Sequence, residues 1–170
     1  MTSTPTGRRT WTVAPEPVGS PDSVALLRDY FAEVAGRYWG RPATEEEIDD
    51  GVTGEHHSDD LVPPDGLFLV ARYGNEPTGC AGLRLLRPGT AELKRVYVRP
   101  GARRSGGGSA LMAAAESAAR SLGATRIVLD TRRDLTESHA LYAAHGYAEI
   151  PAYNHGVFAD HWFAKDLGTD

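Results

Sequence analysis

Between Val24 and Tyr38 the apolar residues Val24, Leu27, Phe31, Val34 and Tyr38 recur every three or four positions, which lines one face of a helix. Ser20-Pro21 supplies a cap and a proline at the first helical position, and Gly40-Arg41-Pro42 ends the run. Thr44-Glu45-Glu46-Glu47 is a capping box that opens a second, shorter helix. From Gly51 to Gly66 the chain is polar and rich in turn formers, so it reads as a long loop. Ahead of all this, Arg9 to Val13 suits a short strand.

Past the loop the period changes. Leu67 to Tyr73 and Gly79 to Leu86 read as strands around the turn Gly74-Asn75-Glu76-Pro77, a hairpin. Ala91 to Val98 alternates like a third strand. Leu111, Ala115, Ala118 and Leu122 return to helical spacing, and Gly123 stops them. Arg126 to Asp130 has the short apolar run of a buried strand. Asp134 to His145 reads as a helix, and Tyr147 to Leu167 holds two strands around PAYNHGVF. This order predicts an α/β fold whose mixed sheet is mostly antiparallel. The strand–helix–strand unit over residues 91–130 is expected to be parallel, with a right-handed crossover.

A chain of 170 residues with 41% apolar content has enough material for one cored domain. Residues 1–10 are expected to be a tail and 11–170 the domain. The net charge of −5 argues against a nucleic-acid partner. The one cysteine, Cys80, rules out an intrachain disulfide and suits a reducing compartment. No segment has the apolar core of a signal peptide or the length of a membrane span, so a soluble cytoplasmic protein is expected.

The stretch RPGARRSGGGSALM breaks the pattern. Three glycines at a helix entrance cost backbone entropy. They fit a flexible linker, a tight packing point or a bound anion. A helix N-terminus presents unpaired N–H groups, and glycines let an anion reach them. Arg103 and Arg104 add charge on the same loop. The residues meet neither the P-loop spacing nor that of a dinucleotide-binding loop. They do meet R-x-x-G-x-G, at Arg103, Gly106 and Gly108.

In this setting AELKRVYVRPGARRSGGGSALM resembles the acetyl-CoA-binding segment of the GCN5-related N-acetyltransferases, the GNAT family. ALYAAHGYAEI resembles the same family's leucine-tyrosine helix and the glycine-aromatic turn after it. The likeness runs by element order from Leu67 to Leu167. It implies a sheet flanked by helices whose central parallel pair splays apart, with acetyl-CoA as cosubstrate and no metal. It further implies that the backbone of Val96, Tyr97 and Val98 holds the pantetheine arm. The loop Arg103, Arg104, Ser105, Gly106, Gly107, Gly108 and Ser109 would then hold the pyrophosphate. Three positions depart from the family. Arg104 stands where glycine is common and is expected to add a phosphate contact. Gly107 stands where a bulky apolar residue is common and is expected to loosen the helix start. Leu135 stands where a polar residue is common, which makes Ser138 the candidate for that cofactor contact.

Acetyl transfer needs a neutral amine, a stabilised thioester oxygen and a proton for the departing thiolate. The resemblance makes Glu92 the candidate base, acting through water, and Tyr142 the candidate acid. It also makes an N–H near Val96 or Tyr97 the oxyanion donor. Read as a structural group, Glu92 would be an exposed strand carboxylate paired with Lys94 or Arg84. His56-His57 with Asp59-Asp60 lacks a third ligand at a diagnostic spacing, so a metal is not expected there. Cys80 reads as a small core residue. The acids Glu45 to Glu47, Asp49 and Asp50 read as a solvated face. Tyr38, Trp39, Tyr153, Asn154 and His155 are acceptor-site candidates. The expected activity is acetylation of a small-molecule primary amine in a ternary complex. Protein or peptide acetylation and a non-catalytic acyl-CoA regulator are the alternatives. Members of this fold often dimerise, so a homodimer is among the expectations.

Overall fold

Helix α1 (Pro21–Trp39) begins where the Ser20 side chain accepts a hydrogen bond from the Ser23 N–H, and it ends at Gly40 with φ 68°. The computed structural model describes residues 10–53, 58–156 and 158–168. Before α1 runs β1 (Trp11–Pro15), and after it comes α2 (Glu45–Thr53). Then follow β2 (Gly66–Tyr73), β3 (Glu76–Arg87), β4 (Thr90–Val98), α3 (Gly107–Ser121), β5 (Arg126–Thr131), α4 (Thr136–Ala144), β6 (Ala148–Ile150) and β7 (His161–Asp166). The capping box of α2 forms in both directions: the Thr44 N–H donates to Glu47 Oε1, and the Glu47 N–H donates to Thr44 Oγ1.

The seven strands make one sheet in the order β1-β2-β3-β4-β5-β7-β6. The β4–β5 pair is parallel and the other described pairs are antiparallel. One core lies between the sheet and α3, built from Leu111, Met112, Ala115 and Ala119 against Leu83, Leu93 and Ile127. The second packs Leu26 and Leu27 of α1 on Phe68, Val70 and Cys80. Cys80 is fully buried, and burial pushes its thiol up from its ordinary range, as befits a core residue. No described helix is long and apolar enough to cross a membrane.

Several boundaries differ from the sequence reading: β1 runs to Pro15 rather than ending at Val13, and α4 starts at Thr136 rather than Asp134. Helix α2 continues through Gly51 to Thr53, because a glycine there lets it close on Phe31: a Cβ at Gly51 would sit 2.4 Å from that ring. The hairpin turn is only Gly74-Asn75, since β3 already starts at Glu76. The His56-His57 pair lies outside the described residues.

Candidate active site

Strand β4 pairs with β5 only from Thr90 to Glu92, opposite Arg126 to Val128. Beyond Glu92 the two strands part, while β5 stays bonded to β7 as far as Thr131. Arg95 takes a left-handed φ of 59° at the same place, and the β3–β4 register shifts between Cys80 and Gly82. A bulge bends β4 away from its neighbour. The backbone of Val96 to Val98 therefore borders the opening on one side.

Below the opening, the chain enters α3 through Gly106, whose φ of 91° suits glycine. Among the described residues, none accepts a hydrogen bond from the backbone N–H groups of Arg104 to Ser109. These donors lie at the positive end of a helix, an arrangement that favours an anion. Arg104 is exposed and adopts φ 65°.

Two residues at this entrance have other surroundings than the sequence suggested. Arg103 spans to α1: Nη2 lies 2.6 and 2.7 Å from the two Glu33 carboxylate oxygens, and Nε donates to the Val98 carbonyl. Its guanidinium braces the loop against α1, and the loop's anion donors are backbone groups. Gly107 is buried rather than loose, because the Trp11 indole occupies the space of a side chain: a Cβ at Gly107 would sit 2.5 Å from that ring. Trp11 Nε1 also donates to the Ser105 carbonyl at 2.8 Å. A tryptophan on β1 thus rigidifies the helix start, which overturns the expectation drawn from Gly107.

Above the loop a cavity of about 560 Å³ runs from the splay to α1 and α2. Glu92, Val96, Ser138 and Tyr142 all line it, so the candidate base, acid and hydroxyl meet at one surface. Ser138 and Tyr142 lie one turn apart on α4, with Leu135 beside them. The Arg103–Ser109 loop, Tyr97 and Val98 do not line the cavity. Tyr97 is buried against Tyr30 on the α1 side. The far wall is aromatic, with Tyr30, Phe31, Tyr38, Trp39 and Phe158.

Glu92 is only 3% exposed, not a surface carboxylate. Its pairing with Arg84 and Lys94 is real all the same. Arg84 Nε donates to Oε1 at 2.8 Å, and Lys94 Nζ lies 3.9 Å from the same oxygen. The Tyr153 hydroxyl donates to Oε2 at 2.7 Å. Each carboxylate oxygen has two lone pairs, so both keep capacity for a further donor such as water. The Tyr142 hydroxyl makes no hydrogen bond to a described residue, and burial holds its pKa above the usual tyrosine range. It therefore stays protonated at neutral pH and available as a donor.

Asn154, Gly156, Phe158 and Ala159 border the cavity on another side. Tyr153 reaches Glu92, and Asn154 Nδ2 donates to Asp130 Oδ2 at 2.7 Å. Trp162 Nε1 in turn donates to Asn154 Oδ1. Phe158 meets Tyr38 edge-on, with centroids 5.3 Å apart. His155 is exposed and stands off the cavity. Among the described residues, no group of three or more His, Cys, Asp or Glu is placed to hold a metal.

A mixed sheet whose central parallel pair parts beyond Glu92, with a glycine-rich helix entrance after the splayed strand, defines the class of α/β fold to which the chain belongs. Residues 24–147 match the acetyltransferase (GNAT) family, and the chain belongs to that family. A Schizosaccharomyces pombe protein described as an uncharacterized N-acetyltransferase is 30% identical over 136 residues, covering 79% of each chain. The crystal structure of a GNAT-family acetyltransferase from Staphylococcus aureus superposes with a TM-score of 0.72 at 16% identity, covering 94% of this chain and 100% of that one. The PaiA N-acetyltransferase of Thermoplasma acidophilum, solved in complex with coenzyme A, gives 0.70 at 20% identity, covering 91% and 99%. The protein is an N-acetyltransferase-family enzyme with acetyl-CoA as donor.

Proposed function

We propose that the protein moves the acetyl group of acetyl-CoA to the primary amine of a small molecule, by direct attack in a ternary complex. The observation that carries this reading is the bordered cavity: Tyr153 is tied to Glu92 and Asn154 to Asp130, and Phe158 leans on Tyr38. A walled cavity of about 560 Å³ suits a small acceptor better than an extended peptide. One buried cysteine, Cys80, suits a reducing cytoplasm.

Acetyl-CoA supplies the thioester. The backbone of Val96, Tyr97 and Val98 binds the pantetheine arm as an added strand would. The backbone donors of the loop from Arg103 through Arg104, Ser105, Gly106, Gly107 and Gly108 to Ser109 seat the pyrophosphate, and Ser138 adds a hydroxyl. Glu92 takes the proton of the attacking amine through a water. An N–H at Val96 or Tyr97 stabilises the developing oxyanion. Tyr142 gives its proton to the departing thiolate.

The test is a panel of amines, amino acids and peptides incubated with acetyl-CoA, read by thiol release and product mass. Acetylated small amines are the expected result. Release with peptide N-termini alone would overturn the small-molecule reading. Tight acetyl-CoA binding without any release would make the protein a regulator.

A further inference from the structure

The acceptor cavity has a charge that the proton transfers do not use. Lys94 of β4 lines it beside Glu92, with its side chain 26% exposed. Its ammonium carries three donors. Among the described residues none has a hydrogen-bond acceptor, and the carboxylate oxygen paired with it, Glu92 Oε1, lies 3.9 Å away and already accepts from Arg84 at 2.8 Å. A partly buried donor without an acceptor is costly, and a ligand acceptor removes the cost.

The other charged groups of the wall sharpen the picture. Arg84 is neutralised by Glu92 and Asp60. Arg95 stands over Phe31, 5.0 Å from its ring centre, and hydrogen-bonds Ser58. Glu47 is held by Arg41 and the Thr44 N–H, and Asp130 by Asn154. Arg132 is paired with Asp134. Asp50 is exposed on α2, and among the described residues no carboxylate comes within hydrogen-bond distance of Lys94 Nζ. Burial, Arg95 and Arg84 all push the Lys94 pKa down, so an added negative charge beside it is favoured.

We propose that Lys94 is the carboxylate-binding residue of the acceptor site, and that the acceptor is an amino acid or similar amino-carboxylate with an aromatic or large apolar side chain. The carboxylate meets Lys94 and the amine faces Glu92. The side chain lies on the aromatic wall of Tyr30, Phe31, Tyr38, Trp39 and Phe158. This deepens the acetyl-transfer reading and rests on it for the amine, not for the carboxylate.

The test compares phenylalanine with phenethylamine, and tryptophan with tryptamine, as acceptors. For each pair the carboxylate preference is the ratio of the two kcat/KM values. We expect the wild type to prefer the amino acid. Lys94→Met is expected to cut that preference by roughly tenfold or more, the scale of a hydrogen bond to a charged group, and Lys94→Arg to retain most of it. A second arm needs no turnover: titration of N-acetylphenylalanine and N-acetylphenethylamine into the CoA-bound protein, wild type and variants. Tighter binding of the carboxylate product, lost in Lys94→Met and kept in Lys94→Arg, supports the site. Equal binding of the two products to wild type overturns it. So does an equal loss for both acceptors in Lys94→Met, which would make Lys94 part of the proton chemistry. If no amine is acetylated but the product still binds through Lys94, the transfer reading fails and the carboxylate site stands.

Discussion

The Tyr153 hydroxyl donates to Glu92 Oε2 at 2.7 Å and so pins the last loop to the strand that carries the candidate base. Burial and the neighbouring Glu92 charge hold Tyr153 well above the usual tyrosine pKa, so it remains a donor. Removing the hydroxyl takes away one of the loop's anchors, with the Asn154–Asp130 bond remaining, and frees one Glu92 oxygen. We predict that Tyr153→Phe raises the acceptor KM by about tenfold, the scale of one hydrogen bond to a charged group, and leaves acetyl-CoA affinity intact. Steady-state kinetics beside a CoA titration check this. An unchanged acceptor KM would show that the loop needs no anchor there.

Glu92 and Tyr142 line the same cavity but act on different protons, so their variants fail differently. Glu92→Gln keeps the shape and the Tyr153 contact but loses the base. Its kcat/KM is expected to drop by roughly 10²–10⁴ at neutral pH. Part of the loss returns at higher pH, where the free amine forms unaided. Tyr142→Phe removes the thiolate's proton source, and alkaline medium does not replace it. The measurement is a pH–rate profile of both variants with one active amine. If Glu92→Gln follows wild type throughout, the carboxylate is structural and the base lies elsewhere, with His161 and ordered water the next to examine.

Local patterns made much of this legible. The α1 helix, the α2 capping box and the glycines at the α3 entrance are short-range features, and each lies where its spacing puts it, but the buried face of α1 is centred on Leu26 and Leu27 and leaves Tyr38 exposed. The arginine of the R-x-x-G-x-G motif was a different matter. Its charge suggests phosphate, but the partner it finds is Glu33, 70 residues earlier. Which acid α1 turns toward the loop depends on how helix and sheet pack, and no periodicity reports that. Trp11 was unreadable for the same reason: it is 94 residues from the carbonyl it holds. Alternation marked β4 as a strand but not how deeply Glu92 sits, because burial there comes from Arg84, Tyr153 and the loop over it.

The Trp11–Gly107 contact carries its own prediction. Gly107→Ala places a methyl 2.5 Å from the indole, so either the ring or the helix start must shift. Acetyl-CoA affinity is expected to fall, since the α3 entrance holds the phosphate donors. Trp11→Ala alone should also weaken binding, by freeing the Ser105 carbonyl. The double variant has room for the methyl and is expected to lose less than the sum of the two, a coupling that a double-mutant cycle measures. Strict additivity would show that the indole does not set the loop.

Five buried or half-buried tyrosines bear on the alkaline limit of the fold. Burial raises the pKa of Tyr30, Tyr97, Tyr142, Tyr147 and Tyr153. Glu33 and Asp29 add to it at Tyr97, Glu116 at Tyr147 and Glu92 at Tyr153. Tyr97 is pushed up to about 12. In the unfolded chain each titrates near 10. Below about pH 10 both states hold these protons, and the groups add no pH dependence. Above it the unfolded state loses protons that the native state keeps, so stability falls as pH rises. Each group contributes a slope of up to about 1.4 kcal/mol per pH unit until its native pKa is reached. Denaturant melts are therefore expected to show a midpoint that these tyrosines leave flat through neutral pH and that drops steeply above about pH 10. Tyrosinate absorbance from these five should appear together with loss of the native circular dichroism, not before it. Ionisation of all the tyrosines in a protein that stays folded would show that these side chains are open to water.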